Sequence, residues 1–128
     1  MNARILFLGF ALAAAPGCHR EPPATHVGGK SVDHWIGELK SPDAKVRKHA
    51  VTELGTVGPS DPLIVPALTG ALKDADPAVR CEATVALAKC GPAARDAVPM
   101  LTELRDRDRD AKVRNYAGQA LEKISGSG

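Results

Sequence analysis

Aromatic residues are scarce in this 128-residue sequence: they make up 3% of it, as one tryptophan, one tyrosine and two phenylalanines. A core without many large rings must be built from aliphatic and small side chains, which favours closely stacked helices over a sheet sandwich. No run of alternating β-branched residues bounded by turn residues is present. The 44% apolar and 25% charged fractions are those of an ordinary folded chain, and the length leaves room for one domain.

An excess of charge of one sign is also missing. The formal net charge is +2, and it falls to +1 without residues 1–17, because these contain Arg4 and no acidic residue. Nucleic-acid binding would need clustered lysines and arginines that neutralise phosphates. The charge balance therefore argues against a nucleic-acid partner.

Motifs of catalysis and cofactor binding are lacking. There is no glycine-rich phosphate loop, nucleophile elbow or pair of catalytic carboxylates, and His34 and His49 have no carboxylate or cysteine at metal-ligand spacing. Cys81 and Cys90 would lie about 13 Å apart along one helix, too far for a disulfide. We expect Cys90 in the core and Cys81 as an exposed thiol, either idle or paired between molecules. The sequence predicts no metal, no cofactor and no enzyme activity.

The longest apolar run lies at the N-terminus. Residues 5–15 are apolar and follow Arg4, and as a helix they would be about 17 Å long, against a hydrocarbon core of roughly 30 Å. We therefore interpret residues 1–17 as a secretory signal peptide, with an uncleaved N-terminal anchor as the alternative. Either way the protein is expected to be exported to the cell envelope.

The residues around Cys18 indicate how the exported chain is held. Ala15-Pro16-Gly17-Cys18 resembles the lipobox of bacterial lipoproteins. The resemblance implies cleavage before Cys18, lipidation of Cys18 and anchoring to a membrane, which would be the outer membrane in a double-membraned bacterium. Ordinary cleavage at the same bond would leave a bare thiol on a periplasmic or secreted protein. Residues 18–30, with two prolines and two glycines, are predicted to form a flexible tether.

One motif recurs through the rest of the chain. Asp43-Ala44-Lys45-Val46-Arg47 has echoes 33 residues later, at 76–80, and a further 34 residues later, at 110–114. Each copy is followed at the same distances by an alanine (Ala50, Ala83, Ala117) and a leucine (Leu54, Leu87, Leu121). A period of this length indicates stacked helical repeats.

The spacing within each repeat predicts where helices begin and end. Asp43 and Asp76 suit N-cap positions, and Gly58-Pro59 and Gly91-Pro92 are typical helix ends. Predicted helices cover residues 32–39, 44–57, 63–72, 96–104 and 111–124, with a counterpart of 44–57 after Asp76. The columns predicted to face the core are Val46, Ala50, Leu54 and Val57 with their repeats, and Val32, Trp35 and Leu39 with Val65, Leu68 and Leu72.

The pattern Asp-x-x-Val-Arg-x-x-Ala-x-x-x-Leu, with Gly-Pro closing the helix and Val-Pro-x-Leu in the next, resembles the HEAT repeat, in particular its phycobilisome-lyase-like variety. The resemblance covers residues 31–125 and leaves 126–128 as a disordered tail. It implies an all-α fold, a short right-handed α-solenoid of antiparallel helix pairs with about two and a half repeats. It also implies a scaffold that binds another protein.

The resemblance further implies that charged side chains form a structural ladder along the stack: Asp43, Arg47, Asp76, Arg80, Asp110 and Arg114. Each aspartate precedes its arginine by four residues, which places the two on one helix face. A ligand-binding row of arginines is the alternative. The alternating charges of residues 105–110 are predicted to form a solvated, self-paired loop, or else a polar contact for a partner.

Three further residues stand out at the terminal repeats: Trp35, Ile36 and Tyr116, each bulky or apolar where the repeat alignment has smaller or polar residues. They are candidates for end caps or for contacts to a partner. Our leading hypothesis is an exported, lipid-anchored HEAT-repeat module that binds a protein without catalysis. The alternatives are an envelope protein that self-associates through its open repeats and, as the resemblance implies, a component of a lyase-type enzyme.

Overall fold

The computed structural model describes residues 26–126, and the predicted signal peptide, Cys18 and residues 127–128 lie outside this range. The described chain begins with an antiparallel hairpin of two short strands, β1 (His26–Val27) and β2 (Lys30–Ser31). Six helices follow within the described range: α1 (Val32–Glu38), α2 (Ala44–Val57), α3 (Ile64–Ala71), α4 (Pro77–Cys90), α5 (Val98–Arg107) and α6 (Ala111–Ile124). The architecture is the all-α, HEAT-like stack that the sequence predicts.

Each long helix begins directly after an aspartate that caps its N-terminus. Asp43 accepts a hydrogen bond from the backbone N–H of Lys45 at 2.9 Å, which satisfies one of the free donors at the start of α2. Asp76 and Asp110 do the same for α4 and α6, at 2.7 and 2.8 Å. The predicted bounds of α2 and α6 are confirmed.

Gly58 and Gly91 end α2 and α4. Their φ angles are +72° and +60°, with ψ of −159° and −140°, so the backbone is extended in ψ rather than left-handed helical as expected. Residues with a Cβ avoid this region. A short 3-10 segment follows each glycine, at Gly58–Ser60 and Gly91–Ala97, and these segments delay the start of α3 and α5 beyond the predicted residues 63 and 96.

The helices pack in two layers. The long helices α2, α4 and α6 lie side by side with α4 in the middle, and each shorter helix packs against the long helix that follows it. The backbones of α2 and α4 approach closely at Gly55, where an added Cβ would lie 2.8 Å from the Cβ of Ala86. Small residues therefore set the separation of the long helices, as the alanine column Ala50, Ala83 and Ala117, fully buried, also indicates.

Most predicted core residues of the shorter helices are buried, among them Trp35, Leu68 and Leu72, but one predicted column differs by one position at the start of α3 and α5. Val65 and Val98 are half-buried, whereas the residues just before them, Ile64 and Ala97, are fully buried. The expected column is displaced because the 3-10 segments change the angular position at which α3 and α5 begin.

The hairpin changes the prediction of a tether over residues 18–30. Gly28 and Gly29 have φ of +61° and +77°, the positive values that a two-residue type I′ hairpin turn requires. The strand carbonyl of Val27 accepts a hydrogen bond from the indole N–H of Trp35 at 3.0 Å, and Lys30 lies over the indole ring at 5.3 Å. Residues 26–30 therefore form a hairpin that packs on α1, and the predicted tether is wrong for these five residues.

Candidate functional site

A ladder of arginine–aspartate pairs runs along one edge of the stack. The guanidinium of Arg47 on α2 donates to both carboxylate oxygens of Asp74, from Nε at 2.8 Å and from Nη2 at 3.0 Å. One repeat later, Arg80 on α4 binds Asp108 in the same way, at 2.9 and 3.0 Å. Each pair therefore joins a long helix to the loop that precedes the next long helix.

The aspartates of the ladder are not those four residues before each arginine. Asp43 and Asp76 use their carboxylates to cap helices, so Arg47 and Arg80 pair instead with Asp74 and Asp108 of the following repeat. Asp74 and Asp108 also accept the backbone N–H two residues ahead, that of the next capping aspartate. Arg47 and Arg80 thus bridge neighbouring repeats, and the two carboxylates that they bind, Asp74 and Asp108, were not among the ladder residues named from the sequence.

Each arginine also fastens the loop before its own helix. Its Nη1 donates to the carbonyl oxygen six residues earlier: to Ser41 from Arg47 at 2.8 Å, and to Asp74 from Arg80 at 2.8 Å. One guanidinium thus holds two successive loops at a fixed distance. This role explains why an arginine recurs at this position in each repeat.

The ladder also determines the ionisation of its carboxylates. Burial alone would raise the pKa of Asp74, but hydrogen bonds from Arg47 and from the Asp76 backbone N–H outweigh it, and the pKa lies below its ordinary value. The pKa of Asp108 is lowered in the same way, with Arg80 as the donor. Both carboxylates are therefore ionised at neutral pH.

The third arginine, Arg114 on α6, marks the end of the ladder in the described chain. Its Nη1 donates to the carbonyl oxygens of Asp108 and Arg109, at 2.7 and 3.3 Å. Within residues 26–126 no carboxylate lies against its Nε edge. Arg114 therefore fastens one loop, whereas Arg47 and Arg80 each fasten two.

The charged residues at positions 105–110 do not form one solvated loop. They belong to three parts of the fold: the end of α5, the ladder and the cap of α6. Arg105 and Asp106 pair on the exposed last turns of α5 at 2.8 Å. Asp108 belongs to the ladder, and Asp110 caps α6. The predicted self-pairing is thus present at Arg105 and Asp106, whereas residues 105–107 are helical and Asp108 and Asp110 have partners outside the segment.

An open groove of about 860 Å³ lies beside the ladder, between the two helix pairs α3–α4 and α5–α6. Leu72, Met100 and Leu104 provide its apolar lining, and the ladder residues Arg80 and Asp108 border it. Binding sites for small molecules and short chain segments commonly have volumes of this order.

Two further grooves lie elsewhere on the described surface. One of about 550 Å³ is lined by prolines at the start of α3, with Val65 and Asp96; the neighbouring Leu63 is 51% exposed. The other, of about 370 Å³, lies between α4 and α6 and contains Cys81 and Tyr116. Tyr116 therefore faces the middle helix and not the free end of the stack.

Cys81 is half-buried between these helices, and burial raises its pKa. The prediction of an exposed thiol is therefore wrong, because α6 covers this part of α4. Cys90 is buried, as predicted, and burial raises its pKa as well. Both thiols are free.

The two ends of the stack differ. Trp35 is 6% exposed under the hairpin, and the rings of His34 and His49 meet its indole edge-on, each with centroids 5.1 Å apart. Ile36 is half-buried against the same core. At the other end, a groove of about 370 Å³ between α5 and α6 exposes part of Leu121, whose counterparts in earlier repeats are fully buried: Leu54 and Leu87.

Residues 26–126 contain no group of three or more histidine, cysteine, aspartate or glutamate side chains that could hold a metal ion. None of the helices in this range is both long enough and apolar enough to cross a lipid bilayer.

Comparison with known proteins agrees with this architecture. In the structure of the complex of CpcE and CpcF of phycocyanin lyase from Nostoc sp. PCC7120, one chain matches with a TM-score of 0.67 and 31% sequence identity. The match covers 83% of the present chain but 41% of that one, so this chain spans less than half of its length. No curated protein matches the sequence. The family model for HEAT repeats matches residues 32–122, and the chain belongs to the HEAT repeat family.

Proposed function

We propose that this protein is an exported HEAT-repeat module, anchored to an envelope membrane through a lipid on Cys18, that binds another protein and has no catalysis of its own. The observation that carries the proposal is the groove of about 860 Å³ between two helix pairs that the ladder holds at a fixed distance. A rigid, preformed groove binds a partner without a large cost of ordering the site.

The comparisons support binding to a protein. HEAT repeats stack into extended surfaces of the kind that repeat proteins use for their partners. The similar chain from Nostoc sp. PCC7120 was solved in a complex of two proteins. These findings support an interaction module, while the identity of its partner is open.

The absence of catalysis is supported by what the charged side chains and thiols do. Asp74, Asp108 and their arginines are engaged in the ladder. Burial raises the pKa of Cys81 and Cys90, which disfavours the thiolate that a nucleophile needs.

Export and anchoring are supported by the sequence around residues 1–18, outside the described range. The test is the intact mass of the protein extracted from the envelope, before and after Cys18→Ala. We expect a mass that lacks residues 1–17 and includes acyl chains, and we expect the acyl chains to be lost in the variant. A processed but unmodified mass would overturn the lipid anchor, and a retained signal peptide would overturn cleavage.

Self-association is a second candidate, favoured by the half-exposed Leu121 at one end of the stack. Stacking end to end would also need an open surface at the other end, where the hairpin covers Trp35. We therefore expect a monomer by light scattering at increasing concentration. A mass that rises with concentration, and that Leu121→Glu returns to the monomer value, would favour self-association.

A component of a lyase-type enzyme is a third candidate, favoured by the similarity to a chain of the phycocyanin lyase complex. Its test is size-exclusion chromatography of the protein mixed with phycocyanin. We expect the two to elute separately. Co-elution would support the lyase candidate over a module without catalysis.

A further inference from the structure

We propose that the groove beside the ladder binds an acidic segment of the partner protein that also carries an apolar side chain. The inference rests on the proposed function, since it names the chemistry of the partner at the same groove. Three observations support it: the balance of unpaired charges, the position of one arginine, and the apolar lining.

The carboxylates around the groove are mostly engaged. Asp74 and Asp108 bind ladder arginines, and Asp110 caps α6. Glu103 is exposed at the groove and, within residues 26–126, binds no cation. Among the described residues that line the groove, Glu103 is therefore the carboxylate available to pair with the cations at the rim.

Lys73, Arg107 and Arg109 line the groove and are exposed. Arg107 lies close enough to Asp106 to help lower the pKa of that carboxyl. Among the residues that the structure describes, no acidic side chain forms an ion pair with Lys73 or Arg109. The available charge of the rim is thus positive, although the groove as a whole contains as many acidic as basic residues.

The helix dipole accounts for the positions of Lys73 and Arg107 but not for that of Arg109. Lys73 follows the C-terminus of α3, and Arg107 is the last residue of α5. Cations at such positions stabilise the negative end of the helix dipole. Arg109, in contrast, immediately precedes the Asp110 cap of α6, at the positive end of a dipole. A cation there gains nothing from the helix dipole, so the dipole does not account for Arg109, whereas a ligand of opposite charge would.

The apolar lining adds the second requirement. Leu72 and Leu104 are buried, and half-buried Met100 stands where the preceding repeat has Ala67. A methionine side chain adapts its shape to what packs against it. An apolar side chain of the partner can therefore insert beside Met100 while neighbouring carboxylates reach Lys73 and Arg109.

A flat anionic membrane is the alternative partner for a lipid-anchored protein. It matches the positive rim but cannot fill a groove that lies below the surface between two helix pairs. An acidic protein segment matches both the rim and the apolar lining, and it is the occupant that the observations favour.

Photocrosslinking in the cells that make the full-length protein tests the inference. The photoreactive residue p-benzoylphenylalanine replaces Met100 in the ladder groove, Ala93 in the proline-lined groove, or Gln119 on α6. We expect a protein crosslink from position 100, and we expect the crosslinked peptide to contain several carboxylates and an apolar residue. Lys73→Glu combined with Arg109→Glu should weaken this crosslink about tenfold, because two attractions become repulsions.

Matched controls separate binding from folding. Lys89→Glu reverses one charge on an exposed residue in the last turn of α4, away from the groove, and it should leave the crosslink unchanged. Lys73→Gln with Arg109→Gln should give an intermediate loss. Circular dichroism and thermal unfolding should show each variant folded.

The remaining outcomes distinguish the inference from the proposed function. Protein crosslinks from position 93 or 119, with none from position 100, would overturn the inference and leave the protein-binding function standing. Lipid crosslinks from position 100 would overturn the inference in favour of the membrane. The absence of protein crosslinks from all three positions would overturn the protein-binding function itself.

Discussion

Arg47 on α2 and Asp74, 27 residues further along the chain, are joined by two hydrogen bonds of 2.8 and 3.0 Å. The same guanidinium holds the carbonyl oxygen of Ser41 in its own loop. A single side chain therefore sets the spacing of two successive repeats. In a repeat protein, stability depends on such contacts between neighbours, so loss of one pair should affect the whole stack.

Replacement of the ladder arginines should have unequal effects. Arg80→Ala leaves Asp108, whose side chain is 4% exposed, without its cation, and we expect the free energy of unfolding to fall by about 2 kcal/mol. Arg114→Ala removes hydrogen bonds to two carbonyl oxygens and a weaker attraction to Asp108, and it should cost less. Urea unfolding of both variants measures the difference, and equal losses would show that the carboxylate contact adds nothing.

Acid should destabilise the fold through Asp74 and Asp108. Their pKa values are lower in the folded protein than the ordinary value of about 3.8, so the unfolded chain binds protons first as the pH falls. The contribution of these residues is complete well above that value and is lost as the pH falls through it towards the folded pKa.

The measurement is thermal unfolding between about pH 7 and pH 3. The wild type should lose stability mainly below about pH 5. Asp74→Asn combined with Asp108→Asn should start from a lower stability and depend less on pH over the same interval. An unchanged pH dependence in the double variant would mean that other carboxylates govern acid unfolding.

Gly55→Ala should destabilise the protein although alanine favours helix. The new Cβ would lie 2.8 Å from the Cβ of Ala86, and crowding in a packed core costs about 1–3 kcal/mol. Gly70→Ala on α3 is the matched control, because nothing lies within 4 Å of the added Cβ. It should stabilise the protein by up to about 1 kcal/mol. Stabilisation by both substitutions would show that α2 and α4 can separate freely.

Trp35→Phe should loosen the hairpin. The indole N–H donates to the carbonyl of Val27, and phenylalanine keeps much of the packing but loses this donor. We expect faster tryptic cleavage after Lys30, in β2, and unchanged cleavage after Lys123 near the end of α6. Equal rates after Lys30 in the wild type and the variant would show that the hairpin is held by other contacts.

Cys81 should react slowly with iodoacetamide at pH 8, compared with a free thiol. Burial raises its pKa and limits access of the reagent. Tyr116→Ala opens the groove over Cys81 and should increase the rate, while leaving Cys90 slow. Reaction at the rate of a free thiol in the wild type would contradict the observed position of α6.

The sequence was informative where signals are local. The helix bounds at Ala44 and Ile124 follow from capping aspartates and the apolar period, which act within a few residues. The hairpin also had a local signal, since Gly28-Gly29 is a preferred turn for two strands, but its glycines were interpreted as a tether. The strands are only two residues long, too short to show alternation.

The ladder partners could not be derived from one helix, because they depend on how the repeats stack. An arginine has an aspartate four residues away on its own helix, and only the packed structure shows that this aspartate is occupied as a cap. A signal was present nonetheless: Asp74 precedes Asp76 by two residues, as Asp108 precedes Asp110. Ser41 likewise precedes Asp43 by two residues, and its carbonyl oxygen accepts the first hydrogen bond of the described ladder.

The hairpin also limits how far the folded module can stand from the bilayer if Cys18 carries the proposed lipid. At about 3.5 Å per extended residue, residues 18–25 reach at most roughly 28 Å, against roughly 45 Å for residues 18–30. The contact between Val27 and Trp35 thus shortens the segment that can extend between the lipid and the repeat domain. A partner bound in the ladder groove would be confined to a thin layer next to the membrane, at a high local concentration with respect to other membrane-bound proteins.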